Sequence, residues 1–408
     1  MVGLGLSHSP TGTAALSLTS VKVAKLVASF ALLALYAFSQ PLESRGNITD
    51  VSAATFPAWH FVTTGTFELS EHADSSDWFV STERGVFSNR TPGVIASATL
   101  GYAIAHPWSS GYSTLPGNLV AIGSSWLAVI LVAAAAERLH RGLWFPALVL
   151  FGLGTSTWSI SANQLWAHGP AQLGIAAAVF LLIDRKELGS GLAFAAAVLI
   201  RPPTIILALG TAGARALYER SWRPIRLIGG PALAAGAIFL GYTRVVFGSW
   251  SPVASYEAVG GLYLSGGLER LANVLSALGS PRYGLLMWSP WIALCLVFAY
   301  QKGSRSVPGW LAATPLVAGA YIVVHSLLEV ASGAATYGYR YPLEAVTLAA
   351  PFLLSVLPHL FRSRISRTAL VVAGCFAAFL QTSYFLLSEC WLAVPEAGLV
   401  ACEIFGKI

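Results

Sequence analysis

Charge is what this sequence has least of. Asp, Glu, Lys and Arg together make up 10% of its 408 residues, where a soluble domain normally carries about 25%. With 55% hydrophobic residues and a mean hydropathy of +0.67, the chain has more apolar surface than a water-soluble core can hide. Cysteine is also scarce, and its four residues form no metal-binding pattern. Cys295 and Cys375 fall inside apolar runs and read as small packing residues. Cys390 and Cys402 fall near the C-terminus, where a disulfide and two free thiols fit equally well. Three further motifs are missing: a phosphate-cradling Gly-Lys-Ser/Thr loop, a metal-protease histidine pair and a nucleophile-elbow serine. Their absence disfavours nucleotide-driven transport and cytoplasmic nucleotide-sugar chemistry, and nothing in the chain points to nucleic acid.

What the chain has instead is apolar runs, at about 23–40, 117–136, 143–160, 169–183, 188–200, 204–218, 227–247, 284–300, 308–327, 343–359 and 368–388. At about 1.5 Å per residue, 18–20 residues cross a hydrocarbon core of about 30 Å. The pattern predicts an all-α polytopic membrane protein with about eleven transmembrane helices. Its 13 tryptophans suit the headgroup level of a bilayer. Runs 188–200 and 204–218 are short and separated by Arg201-Pro202-Pro203. Proline removes a backbone donor and keeps the preceding residue out of the helical region, so two short helices meeting at a break are expected. One kinked segment is the alternative, and it would change the parity of the count. Residues 92–107 form one more apolar stretch, read here as a helix on the outer surface, with an ordinary span as the alternative.

Orientation follows from Lys and Arg in the short loops. Lys22 and Lys25, Arg138 and Arg141, Arg185 and Lys186, Arg215 to Arg226, Lys302 and Arg305, and Arg362 to Arg367 all fall on one side of an eleven-span chain. That side is expected to be cytoplasmic. The first run is longer than a typical signal h-region and lacks a small-x-small cleavage site, so it reads as an uncleaved span. Residues 1–20 read as a disordered cytoplasmic tail, 21–388 as the transmembrane domain with a first extracytoplasmic loop over 41–116, and 389–408 as an extracytoplasmic tail.

The opposite side carries most of the acids, Glu329 and Glu344 among them, and three long connections at about 41–91, 248–283 and 328–342. Connections of that length are uncommon unless functional. The first holds Arg45-Gly46-Asn47-Ile48-Thr49-Asp50, then Trp59-His60-Phe61 with Gly65-Thr66-Phe67, then Arg90-Thr91-Pro92-Gly93. Later stretches include Trp166-Ala167-His168-Gly169-Pro170, Ile200-Arg201-Pro202-Pro203, Ser280-Pro281-Arg282-Tyr283-Gly284 and Tyr337-Gly338-Tyr339-Arg340-Tyr341-Pro342.

An Asp just beyond the first span, an amphipathic stretch ending in Gly-x-Phe and a Pro-Gly element opening a surface helix resemble the GT-C superfamily. These are polytopic glycosyltransferases that use polyprenyl-phosphate sugars, such as protein O-mannosyltransferases and the lipid A aminoarabinose transferase. The later stretches are similar to bacterial members. The resemblance implies a polyprenyl-phosphate sugar donor, a glycan, lipid or protein acceptor, a multi-pass location in the cell membrane and an active face outside the cytoplasm. Asp50 is followed by Val51 rather than a second acid, and the apolar runs lead to the expectation of no large outward C-terminal domain within these residues, so neither metal dependence nor the acceptor carries over.

Transfer from a lipid phosphate needs a base for the incoming hydroxyl and cationic help for the departing phosphate. Asp50 is the candidate catalytic base, with a solvated loop acid or helix cap as the bland alternative. Arginine suits the phosphate because it stays charged and offers a two-pronged fork. Arg90, Arg201, Arg282 and Arg340 lie on the acid-rich side against the positive-inside trend, so they are candidate substrate-binding residues, with Tyr283 and Tyr341 beside them. Snorkelling or structural pairing is the competing explanation for each. His168 is a candidate donor to a phosphate or sugar hydroxyl, or else an interfacial anchor beside Trp166. No cofactor is indicated. The acidic run Glu68, Glu71, Asp74 and Asp77 leaves room for a calcium or magnesium ion but lacks fixed ligand spacing, so a solvated loop face is the simpler expectation. A transporter or lipid flippase for an anionic substrate shares the helix count and the boundary arginines. It differs in needing polar residues in broken helices near mid-membrane. A non-catalytic scaffold is a third class.

Overall fold

The computed structural model describes residues 11–39, 49–108, 111–257, 267–299, 307–328 and 338–393, with side chains omitted for 11–18, 49–50 and 384–393. These residues are almost entirely helical, with a single two-stranded hairpin among them. Among the described residues, five helices are long and apolar enough to cross a membrane: Thr19–Ser39, Leu115–Leu139, Ile225–Phe247, Gly309–Leu328 and Arg364–Ser383. Four shorter apolar helices, Trp144–Leu153, His168–Ile183, Glu187–Ile200 and Leu343–Ser355, pack among them. Apolar side chains cover the outside as well as filling the core, and several polar groups are buried. Leu100, Ile104, Leu217, Leu316, Ile365 and Phe379 turn outward, while Gln172, His168, Thr347 and Glu344 are buried. Exposed apolar surface on that scale marks contact with lipid or protein.

Small residues let the helices approach closely, as they do in membranes. A Cβ on Gly93 would meet backbone atoms of Leu199 and Ile200 at 2.5 Å, and one on Gly174 would meet the Ala193 carbonyl at 2.9 Å. The first contact docks helix Pro92–Ala105 onto the end of helix Glu187–Ile200. With 14 residues, Pro92–Ala105 is about 21 Å long, short of a bilayer core.

Several expectations need correction. The helix containing the first span begins at Thr11, inside the stretch read as a disordered tail. Run 143–160 is not one continuous helix. It breaks at Gly154 between π-helical turns Leu148–Leu153 and Thr157–Ser161. The break has a local cause, because Thr155 turns its hydroxyl onto the Phe151 carbonyl at 2.6 Å and accepts from the Thr157 N–H at 3.2 Å, a bonding choice that competes with the helix ladder. Run 284–300 is interrupted at Ser289, before Pro290 opens helix Pro290–Phe298. The connection 248–283 contains helix Gly267–Gly279. Cys375 is exposed rather than packed, whereas Cys295 is buried. Cys402 and the side chain of Cys390 lie outside the described residues.

The expected break at Arg201 is present: helix Glu187–Ile200 ends there, and helix Ile205–Glu219 starts after one turn of 3-10 helix at Pro202–Thr204. The first connection holds helix Thr49–Thr64 and a hairpin of Phe79–Thr82 and Gly85–Ser88, registered Phe79 to Ser88 and Thr82 to Gly85. Ser88 ties the hairpin to that helix through the Ala53 carbonyl at 2.5 Å.

The helices around His168 and Arg201 run in alternation between two ends. Helix His168–Ile183 leaves His168 and reaches Asp184, which pairs with Arg138. Helix Glu187–Ile200 returns from Glu187 to Arg201, and Ile205–Glu219 runs back out to Arg215. At that far end Arg215 and Glu187 pair at 3.1 Å, and Lys25 and Glu137 at 2.7 Å.

Candidate functional site

Three helix ends and one turn meet at Glu344. His168 opens helix His168–Ile183, where Pro170 falls in the first turn and lacks only a donor that the helix does not use there. Gly169 behind it lets the helix approach Ser124 and Ser125. Arg201 is extended, with φ −143° and ψ 92°, as the following proline requires. Glu344 lies in the first turn of helix Leu343–Ser355. Arg340 and Tyr341 sit in the turn before it, which starts at Gly338 with φ +82°, a conformation that glycine adopts without penalty. Tyr321 and His325 come from one face of helix Thr314–Leu328.

The carboxylate of Glu344 is fully buried. Its Oε1 lies 2.7 Å from Nδ1 of His168 and 3.3 Å from Nε of Arg201, and its Oε2 accepts from the Tyr321 hydroxyl at 3.4 Å. Arg201 also donates through Nε to the Tyr321 hydroxyl at 3.3 Å and through Nη2 to Nε2 of His325 at 2.9 Å. Arg340 donates through Nε to Nε2 of His168 at 3.2 Å. A guanidinium only donates, so both histidines accept at Nε2, and His168 carries its hydrogen on Nδ1 toward Glu344. Aromatic rings close the group. The Arg340 guanidinium lies 3.6 Å above Trp166, Arg201 lies 5.0 Å from the Tyr341 ring, and Tyr341 packs on His325 at 4.3 Å. Such cation–ring contacts are strongest when desolvated.

One turn deeper, Gln172 donates to Thr157 at 3.0 Å and to Thr347 at 2.8 Å. Ser289 donates to the Gly154 carbonyl at 2.7 Å and meets the Tyr339 hydroxyl at 2.8 Å. The helix break at Gly154 is thus joined to the turn that carries Arg340.

Of the residues singled out from sequence, His168, Arg201, Arg340 and Tyr341 come together. The Arg282 carbonyl accepts from Gly338 at 2.8 Å, so its backbone joins the Arg340 turn, and the half-buried Tyr283 packs on the main core. Arg90 stacks on Trp78 at 4.8 Å and reaches the Tyr256 hydroxyl at 3.5 Å, and the neighbouring Thr91 bonds the Ile200 carbonyl at 2.5 Å. The backbone of Asp50 lies in the first turn of helix Thr49–Thr64, and its side chain is outside the described residues. That helix buries Ala54 and Ala58 in a small core with Leu165, Ala171 and Ile200, the neighbours of Trp166, His168 and Arg201.

Glu344 needs correcting, since it is no loop acid but the buried centre of the group. Tyr321 and His325 were not singled out either. The signal was present, because an ionisable residue inside an apolar run marks function by default. Among the described residues no three metal-ligating side chains converge. Within the acidic run, Glu68 caps its own loop, accepting from the hydroxyl and N–H of Ser70 and from the Val86 N–H at 2.9 Å. The Ser70 hydroxyl, followed by the Val86 N–H, holds the Glu68 carboxyl below its usual range.

Comparison with protein-family models, with curated proteins and with solved structures finds no match.

Proposed function

We propose that this chain is a multi-pass membrane glycosyltransferase of the GT-C type. It moves a sugar from a polyprenyl-phosphate donor to a glycan, lipid or protein acceptor. One observation carries the reading: Arg201 and Arg340, distant in sequence, meet around Glu344 with His168 and Tyr341. Two planar cations beside aromatic rings suit a phosphate ester. In this reading Arg201 and Arg340 hold the donor phosphate, with Arg282 and Tyr283 supporting the Arg340 turn and Arg90 on the flank. Asp50 is the base that takes the acceptor's proton.

The proposed topology has eleven spans, a cytoplasmic N-terminus and this site on the extracytoplasmic side, with Pro92–Ala105 not crossing. Its support is the alternation of helices between the Glu344 group and the ion pairs of Lys25, Arg138 and Arg215. Transfer from a radiolabelled polyprenyl-phosphate sugar by the purified chain tests the reading, with Asp50→Asn as the inactive control.

A second reading, a transporter for an anionic substrate, is favoured by the broken helix at Gly154 and the buried Gln172, Thr157 and Thr347 beside it. Interrupted helices lined by polar groups are how many transporters build sites. Anion flux into proteoliposomes without sugar transfer would select it.

A further inference from the structure

His168 is blocked at both ring nitrogens. Its Nδ1 hydrogen is directed at Glu344 at 2.7 Å, and its Nε2 lone pair is covered by the Arg340 Nε–H at 3.2 Å. An imidazole in that state takes no further proton. The two blocking partners differ in kind. Glu344 is sealed in the interior and also held by Arg201 and Tyr321, whereas Arg340 is half-buried in a turn, against the half-buried Trp166.

We propose that an anionic phosphate ester draws Arg340 off His168, and that His168 then binds a proton at Nε2. The groups facing His168 decide the balance. Arg340 and Tyr341 approach from the turn before helix Leu343–Ser355, Glu344 from its first turn, and Arg201 from the break before Ile205. His325 and Tyr321, on helix Thr314–Leu328, reach the same group through Arg201 and Glu344. Ser124 and Ser125, on helix Leu115–Leu139, lie behind Gly169 and carry no charge. Burial opposes an imidazolium most, Glu344 favours one, and the two arginines oppose it. When Arg340 turns to a phosphate, one opposing charge leaves the ring and a negative charge arrives. The Arg340 N–H to Nε2 contact breaks, N–H to phosphate-oxygen contacts form, and one solvent proton bonds to Nε2 with no change of oxidation state. For a sugar-phosphate donor, the new N–H then lies beside the phosphate that gains charge as the sugar departs. The inference rests on the proposed function only in bringing a phosphate ester to the arginines, and it holds equally for a transported anion.

The test is calorimetric titration of the purified full chain with methyl farnesyl phosphate, a diester that does not itself titrate near neutral pH. Repeating it in buffers of different ionisation enthalpy counts the protons exchanged. The expected result is uptake of about one proton per ester, and an affinity that falls by up to about tenfold per pH unit on the alkaline side. His168→Asn should bind the diester with little proton uptake and a flat pH profile. If that variant does not fold, 15N-histidine spectra of the unmodified chain give the same answer, since one buried ring should gain a second N–H on binding. Binding with no proton taken up, or spectra unchanged by the diester, would overturn the inference while leaving the anion site intact. No binding at all removes the anion site, and the inference with it.

Discussion

Nδ1 of His168 and Oε1 of Glu344, 176 residues apart in sequence, lie 2.7 Å from each other with both side chains sealed from solvent. Around that contact Arg201, Arg340 and Tyr321 are assembled, so the pair holds three segments in register. Removing one member of such a group leaves buried charge without compensation. Glu344→Ala is expected to cost about 3–5 kcal/mol, and Glu344→Gln, which keeps size and one acceptor, less. Thermal unfolding in detergent reads both. A Glu344→Ala protein as stable as its parent would mean that the contact does not organise these helix ends.

Gly93 has a separate role, in close approach. Alanine there would press a methyl group onto the Leu199 and Ile200 backbone at 2.5 Å, and Ile200 precedes Arg201. Overpacking of this kind costs about 1–3 kcal/mol. Gly93→Ala should therefore lower thermal stability and weaken binding of a phosphate ester together, whereas Gly111→Ala, with open space around it, should change neither.

The hairpin in the first connection should loosen in acid. The folded protein holds the Glu68 carboxyl below its usual range through the Ser70 hydroxyl and the Val86 N–H. A lowered carboxylate contributes stability that is present above the unfolded value and is lost as pH falls through the folded one. Hydrogen exchange at the amides of Ser70 and Val86 should accelerate over that acidic window relative to its own intrinsic pH trend. Glu68→Gln should exchange faster at neutral pH and lose the window.

Proposed catalysis makes a sharper demand on Arg340. Arg340→Lys keeps the charge but loses the planar fork and the stack on Trp166. Transfer should fall by at least about tenfold while the far-end pairs, and hence the fold, persist. Transfer at the parent rate would take Arg340 out of the phosphate site.

Much of this arrangement is legible in the sequence where covalent chemistry leaves little choice. Pro202 and Pro203 enforce the break at Arg201, and His168, Arg340 and Tyr341 stand out as polar groups beside Trp, Gly and Pro at the ends of apolar runs. What is hidden depends on tertiary partners. Glu344 sits at the edge of a run and reads as a loop acid until His168 and Arg201 are brought to it from elsewhere in the chain. His325 looks like an ordinary helix residue until Arg201 reaches it. The break at Gly154 is carried by Thr155 and Ser289 hydroxyls, and no hydropathy pattern registers such bonds. Helix Thr11–Ser39 extends through Ser- and Thr-rich sequence, where composition alone suggests an irregular tail.

The most direct measurement is transfer by the purified chain in lipid nanodiscs from a radiolabelled polyprenyl-phosphate sugar, comparing the parent protein with Asp50→Asn. The amide keeps size and hydrogen bonding and removes only the base. The account predicts sugar transfer by the parent and a loss of about 10²–10⁴-fold in the variant, with thermal stability retained. Undiminished transfer by Asp50→Asn would contradict the assigned base. A parent protein that transfers no sugar but moves a phosphate ester across the membrane would contradict the transferase account as a whole.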